Sequence, residues 1–358
     1  MATRSPQSIV KAIPPLPAAV AKLGQAAQLE VADVLKIVSC DPAIAARVLK
    51  VSNSSFYGRR GRVLSLREGV ITLGVHTVKS LAIGLAVAGL HKRLVLDPKL
   101  ALAQARYWRC SIATSVAASE IARSLRLSCR DECFTGGLVR QVGQLGMMGE
   151  FGAGYASFLA PQVMESPDFA LREERAFGLS HVEVGQAMCE QWKLPEPLTA
   201  LVGQSSDQPL AEVVELSRAL AEFAGFGGLG SQPINLELIR GLLERRPAAL
   251  EDVSDGLEEG VAEAESTLGI SAEALQGIKP CSVEVKISDP ASASLVRLAI
   301  RGLGCEVDSA GAWLVGDSAA VAESAKPALD VARHGLSEGK LTAAALRRGL
   351  SEFLGGAR

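Results

Sequence analysis

Residues 134–150 read FTGGLVRQVGQLGMMGE, five glycines set among leucine, valine and methionine. Leu138, Val142 and Leu145 fall at helical spacing, which predicts a helix with those side chains toward a core. Glycine costs about 1 kcal/mol against alanine inside a helix, so a segment this rich in it has to be held by its neighbours. Positions without side chains suit close helix–helix approach. The chain is thereby constrained to a bundle in which other helices lie almost against this backbone.

Composition agrees with that reading. Hydrophobic residues make up 48% and aromatic residues 4%, which predicts a helix-rich protein with an aliphatic core. A length of 358 residues leaves room for two domains. The net charge of −2 supplies no field that would gather nucleic acid or anionic lipid, so direct nucleic-acid binding is not expected. The opening MATRSPQSIVKAIPPLP lacks an apolar signal region, and no stretch of about 18 uninterrupted apolar residues follows. A soluble, cytoplasmic protein without a membrane partner is expected. The seven cysteines (40, 110, 129, 133, 189, 281 and 305) are odd in number and include no CxxC pair. They read as reduced thiols, with Cys129 and Cys133 as i, i+4 neighbours.

Helix signals punctuate the first 275 residues. VADVLKIV (31–38) is a short apolar helix, and Asp41-Pro42 restarts another, with Asp as N-cap and Pro in the first turn. Ser52-Asn53-Ser54-Ser55 ends that helix, because short polar side chains compete for backbone hydrogen bonds. Ser65-x-x-Glu68 and Ser180-x-x-Glu183 are capping boxes. Gly74 separates the helix after the first box from another over roughly 77–90. Further helices are expected at about 100–126, 134–150, 210–224, 234–244 and 251–268. Near residue 280 the pattern changes. VEVKI (283–287) alternates as a strand does, SASLVRLAIRGLG follows as a helix, CEVDS and AWLVGD read as strands, and helices run on to the C-terminus. The expected organisation is a helical domain over 1–278 and a small α/β domain over 279–358.

Few residues offer chemistry. Of the four histidines, His76, His91 and His334 stand without ligand partners at helical spacing. His181 opens the helix of the second capping box. GFGGLG (225–230) has the letters of a dinucleotide loop, but a helix precedes it where that fold needs a strand, so it reads as a helix-ending loop. RRGR (59–62) offers Arg59, Arg60 and Arg62 to an acidic partner or a phosphate. Cys110 with Ser111 and His181 lacks a third group to orient it as a nucleophile. Asp289 and Asp317 follow predicted strands, where aspartate commonly forms turns.

The pieces IPPLPAAVAKL, SCDPAIAARVLKVSNSSFYG, SLREGVITLGVHTVKSLAIG, YWRCSIATSVAASEIA, FTGGLVRQVGQLGMM and LSHVEVGQAMCEQWKLPEPL, in this order, resemble an HDOD-domain protein. That bacterial signalling family is related to the HD phosphohydrolases. The resemblance covers about the first 275 residues and implies a mainly α, two-lobed, all-helical module. The HD relatives carry a first metal-binding His after a Trp-Arg pair, where this chain has Cys110. Their His-Asp pair falls on Arg140 and Gln141, a later His matches His181, and a His pair falls on about Gly203-Gln204. With one of these positions keeping its chemistry and Arg140 charged like a dication, the resemblance implies no metal, no cofactor and no hydrolysis. It implies an interaction module for regulatory proteins. Asn53, Ser54, Phe56, Arg59, Arg60, Arg62, Arg140 and His181 are the candidate contacts. Two other readings are a cyclic-dinucleotide or nucleotide sensor using Arg140 and the RRGR loop, and a residual metal-dependent phosphohydrolase using His181 and Cys110. The segment 279–358 more weakly resembles a shortened receiver domain that has lost phosphorylation and serves contact or homodimerisation.

Overall fold

The capping residues read from the sequence start helices in the structure, a computed structural model. It describes residues 5–25, 30–53, 63–94, 97–159, 168–203, 209–230, 236–246 and 249–268, with short stretches at 282–286, 296–297, 299, 306–307, 313–316 and 328–330. The first helices are α1 (Pro6–Val10), α2 (Ala18–Gln25), α3 (Val31–Val38), α4 (Pro42–Ser52), α5 (Leu66–Leu73) and α6 (Val75–Leu94). The Asp41 carboxylate accepts from the Ile44 N–H at 3.2 Å, so α4 starts as expected. Ser65 Oγ accepts from the Glu68 N–H at 3.1 Å, while Glu68 reaches back one residue farther, to the Leu64 N–H. Gly74, at φ 81°, turns the chain so that α5 and α6 meet at 104°.

After a turn of 3-10 helix at Pro98–Leu100 come α7 (Ala101–Ser124), α8 (Arg130–Val139), α9 (Gly143–Phe158), α10 (Phe169–Phe177) and α11 (His181–Gln191). They are followed by α12 (Glu196–Val202), α13 (Pro209–Phe223), α14 (Leu236–Arg245) and α15 (Ala249–Leu268). Helix α7 is the axis. Residues Cys110 to Ser119 are all buried, and α8, α13 and α15 pack around them. A helix enclosed on every side needs small residues and internal partners for its hydroxyls. Thr114 Oγ1 donates to the Cys110 carbonyl at 2.7 Å and Ser115 Oγ to the Ser111 carbonyl at 2.8 Å. One connected apolar core runs from Ile9 through Tyr107 and Trp108 to Leu268.

The single helix expected over 134–150 is two helices. Around Arg140–Val142 the hydrogen bonds tighten to the i+3 pattern: Val142 N–H to Val139, Gln144 N–H to Gln141 and Leu145 N–H to Val142. The break falls where glycines on both sides are pressed onto other backbones. A Cβ on Gly137 would lie 2.6 Å from the Ser115 nitrogen of α7, and one on Gly143 would lie 1.8 Å from the His181 carbonyl oxygen. Leu138, Val142 and Leu145 are fully buried. The glycine density therefore serves two contacts, α8 on α7 and α9 on α11, which a single straight helix does not make.

Beyond α15, strands β1 (Ser282–Lys286), β2 (Glu306–Val307), β3 (Trp313–Gly316) and β4 (Ala328–Asp330) form a parallel sheet in the order β2-β1-β3-β4. Val283 lies opposite both Val307 and Trp313, and Val315 opposite Leu329. Val296, Arg297 and Ala299 are helical. β4 corrects the expectation of helices alone after residue 317. Three residues are too few to show a period in sequence, and pairing with β3 makes the strand. Among the described residues no single helix is long and apolar enough to cross a membrane, although α5 and the first part of α6 pass that test jointly as a bent pair.

Gly143→Ala puts a methyl group into fixed backbone rather than a flexible side chain. It should lower unfolding free energy by at least the ~1–3 kcal/mol typical of overpacking. Gly154 is helical and exposed with nothing within 4 Å of its Cβ position. Gly154→Ala should stabilise by up to about 1 kcal/mol, and urea denaturation of the two variants checks the contrast.

Candidate functional site

The break between α8 and α9 places Arg140 and Gln141 on a tight turn facing α13 and the loop after it. Arg140 is buried, at 4% exposure, and its Nε donates to Glu215 Oε1 of α13 at 2.5 Å. Glu215 Oε2 accepts from Arg218 Nε at 3.5 Å, and Arg218, also buried, pairs one turn on with buried Glu222. The result is a chain of alternating charges, Arg140–Glu215–Arg218–Glu222. Burial pushes the Glu215 carboxyl upward, but Arg140 and Arg218 together outweigh it and hold the group below its ordinary value. Burial likewise works against the Arg218 charge, and Glu222 and Glu215 outweigh it.

Cys110 of α7 lies beside this chain. Burial, followed by the field of Glu222, pushes its thiol up to about 12, against weaker opposition from Arg218, Thr114 and Arg106. Cys110 is a buried thiol packed against the loop. The GFGGLG loop closes over it. A Cβ on Gly228 would stand 2.9 Å from Cys110 Sγ and 3.6 Å from Gln141 Oε1. Gln144 Nε2 donates to the Leu229 carbonyl at 2.9 Å, and the Arg109 guanidinium lies 5.2 Å from the centre of the Phe226 ring. Leu229 is fully buried and Phe226 nearly so. The loop follows a helix, as expected, and its glycines let backbone settle on Cys110 and Gln141.

His181 belongs to a second network. Its Nδ1 lies 2.5 Å from Glu173 Oε2, and its backbone N–H donates to the same oxygen at 2.9 Å. Tyr155 O–H donates to the other oxygen of Glu173, a carboxylate that is wholly buried. Burial, then the charge of Glu173, raises the Tyr155 phenol well above its usual value. This network ties α9, α10 and α11 together beneath the capping box, in which the Ser180 N–H donates to Glu183 Oε2 at 2.8 Å.

Of the other sequence candidates, Gly203 packs against the Gln186 side chain of α11. Asn53 acts as a clasp: its amide donates to the Leu49 and Val63 carbonyls at 2.8 and 2.9 Å and accepts from the Val63 N–H at 2.8 Å. It closes the base of the segment that carries RRGR. His76 pairs with Glu132 at 3.1 Å on the surface. Ser54, Phe56, Arg59, Arg60, Arg62, Gln204, His334, Asp289 and Asp317 lie outside the described residues. Among the described residues no three His, Cys, Asp or Glu side chains gather as a metal ion would need. The groups at the HD ligand positions do not fit a dication. One is a buried guanidinium and one a neutral amide, which leaves the His181 Nε2 and the Cys110 sulfur, fewer than the three protein ligands of a catalytic zinc site.

Glu173, Glu215, Arg218, Glu222 and Gln144 were not singled out in the sequence. A signal was present: Glu215-x-x-Arg218-x-x-x-Glu222 sets charges at helical spacing on a helix otherwise made for burial.

Residues 11–208 match the family model of the HDOD domain. The match spans more than half of the chain, which belongs to the HDOD family. Among solved structures, an HDOD domain protein of unknown function from Geobacter sulfurreducens aligns with a TM-score of 0.58 at 20% identity, over 73% of this chain and 97% of that one. A protein from Shewanella amazonensis SB2B, provisionally named a phosphohydrolase, aligns at 0.52 and 23% identity, over 75% and 96%. One from Marinobacter aquaeolei VT8, provisionally named a signal transduction protein, aligns at 0.59 and 21% identity, over 75% of this chain and 62% of that longer one. These likenesses establish the helical fold. A search of curated proteins gives no match.

Glu215→Gln leaves Arg140 buried without a counter-charge. It should cost about 1–3 kcal/mol at pH 7, less than the ~3–5 kcal/mol of a fully enclosed pair, because the Glu215 side chain is 32% exposed. A depressed folded pKa stabilises above the unfolded value of about 4.3 and is lost as pH falls below it. The difference between wild type and variant in urea titrations should therefore shrink on going from pH 7 to pH 3.

Proposed function

We propose that this chain is a non-catalytic, cytoplasmic signal-transduction module that regulates protein partners by binding them. The observation that carries this reading is Arg140. At a position where HD relatives hold a metal ligand, this chain buries a guanidinium and neutralises it with Glu215. Loss of the ligand set and closure by the GFGGLG loop leave shape without a reaction centre, and an interaction role is what the family resemblance then implies. The RRGR segment, clasped at its base by Asn53, carries three arginines suited to an acidic face of a regulatory partner. Residues 279–358 form a small receiver-like α/β domain in this reading, serving contact or homodimerisation without phosphoryl transfer. The parallel pairing of β1 with β2 and β3 supports it.

Phosphodiesterase assays with bis-p-nitrophenyl phosphate and added Mn²⁺ should give the same rate for wild type, His181→Gln and buffer. Activity abolished by His181→Gln would contradict the reading. Calorimetry with cyclic dinucleotides should show no heat, because Arg140 is committed to Glu215. Binding weakened by Arg140→Gln would replace the partner reading with a nucleotide sensor.

A further inference from the structure

Two cysteines outside the site lie one helical turn apart at the start of α8. Cys129 is the N-cap residue, half-buried, with φ −94° and ψ 31°, outside helical geometry. Cys133 is fully buried, and the two sulfurs are 3.8 Å apart. One turn separates α carbons by about 6 Å, within the span a disulfide bridges. The Cys129 carbonyl accepts from the Cys133 N–H at 2.9 Å, which keeps the two residues in register, and closing the remaining gap takes side-chain rotation at Cys129. The residues between the pair join α8 to α6: Thr77 Oγ1 donates to Asp131 Oδ2 and Ser80 Oγ to the Asp131 carbonyl, both at 2.9 Å, and His76 pairs with Glu132.

We propose that Cys129 and Cys133 form a reversible dithiol–disulfide site that takes a hydroperoxide as oxidant and alters the α6–α8 seam. Cys129 is the attacking group because it is half-buried where Cys133 is fully buried, and so is the sulfur a hydroperoxide reaches first. Its thiolate attacks a peroxide oxygen, the O–O bond breaks, and the alcohol or water leaves with the proton, giving a sulfenic acid. Cys133 sulfur then attacks Cys129 sulfur, the S–O bond breaks, and hydroxide departs as water with the Cys133 proton. Two thiols and one hydroperoxide become one disulfide, one alcohol or water from the peroxide, and one water. Burial pushes the Cys133 thiol upward, in keeping with its role as the second sulfur. The bond spans Asp131 and Glu132, so forming it strains the contacts they make with α6.

Trypsin cuts after Arg130, between the two cysteines, which makes the test direct. The native full chain is treated with a few equivalents of hydrogen peroxide, alkylated in denaturant and digested. Peptides 127–130 and 131–140 should appear joined, and dithiothreitol should separate them. Cys133→Ser should leave a sulfenic acid on Cys129 that dimedone captures, and Cys129→Ser should abolish the joined pair. The proposal fails if both cysteines are recovered alkylated under conditions that oxidise exposed Cys40. It also fails if Cys129 is joined to any other cysteine.

Discussion

Two backbone contacts set the position of everything around the site: Gly137 against Ser115 and Gly143 against His181. Neither tolerates a Cβ, so α8 lies directly on the central helix and α9 directly on the start of α11. Between these fixed points the chain tightens at Arg140–Val142, and the tightening directs Arg140 and Gln141 toward α13 and the loop after it. The charge chain, the seat of the GFGGLG loop and the burial of His181 follow from those approaches.

Given that geometry, the buried charges are arranged in alternating pairs. A guanidinium buried alone would cost several kcal/mol. Here Glu215 and Arg218 extend it to Glu222, so that two positive and two negative groups offset one another. Such a network adds little net stability compared with an apolar core, but it fixes partners in register. Burial pushes the Cys110 thiol up at its edge, and the loop backbone covers it. The His181–Glu173–Tyr155 network joins α9, α10 and α11.

Much of this was legible in the sequence, and the missing parts have physical reasons. The starts of α4, α5 and α11 follow from Asp41-Pro42, Ser65 and Ser180, because a cap is a local interaction. Glycine density in 134–150 announced close approach, yet not the break at Arg140–Val142, which depends on where α7 and α11 stand. The short helices α1 and α12 have too few turns to show a period. Cys110, Arg140 and Gln141 were visible as departures from the residues the HD resemblance implies. Their partners were not, because Glu215 is 75 residues from Arg140 and Gly228 more than a hundred from Cys110, and only the fold joins them. Asn53 was marked as a helix end or a contact, and its three hydrogen bonds tie the end of α4 to Val63.

The central claim is that the HD ligand positions have been rebuilt as a closed charge network that holds no metal. Elemental analysis of the full chain, produced with manganese, iron and zinc supplied and then desalted, measures this directly. The account predicts substoichiometric metal that does not change in Cys110→Ala or His181→Gln. One or two equivalents of a single metal per chain, lost in either variant, would contradict it.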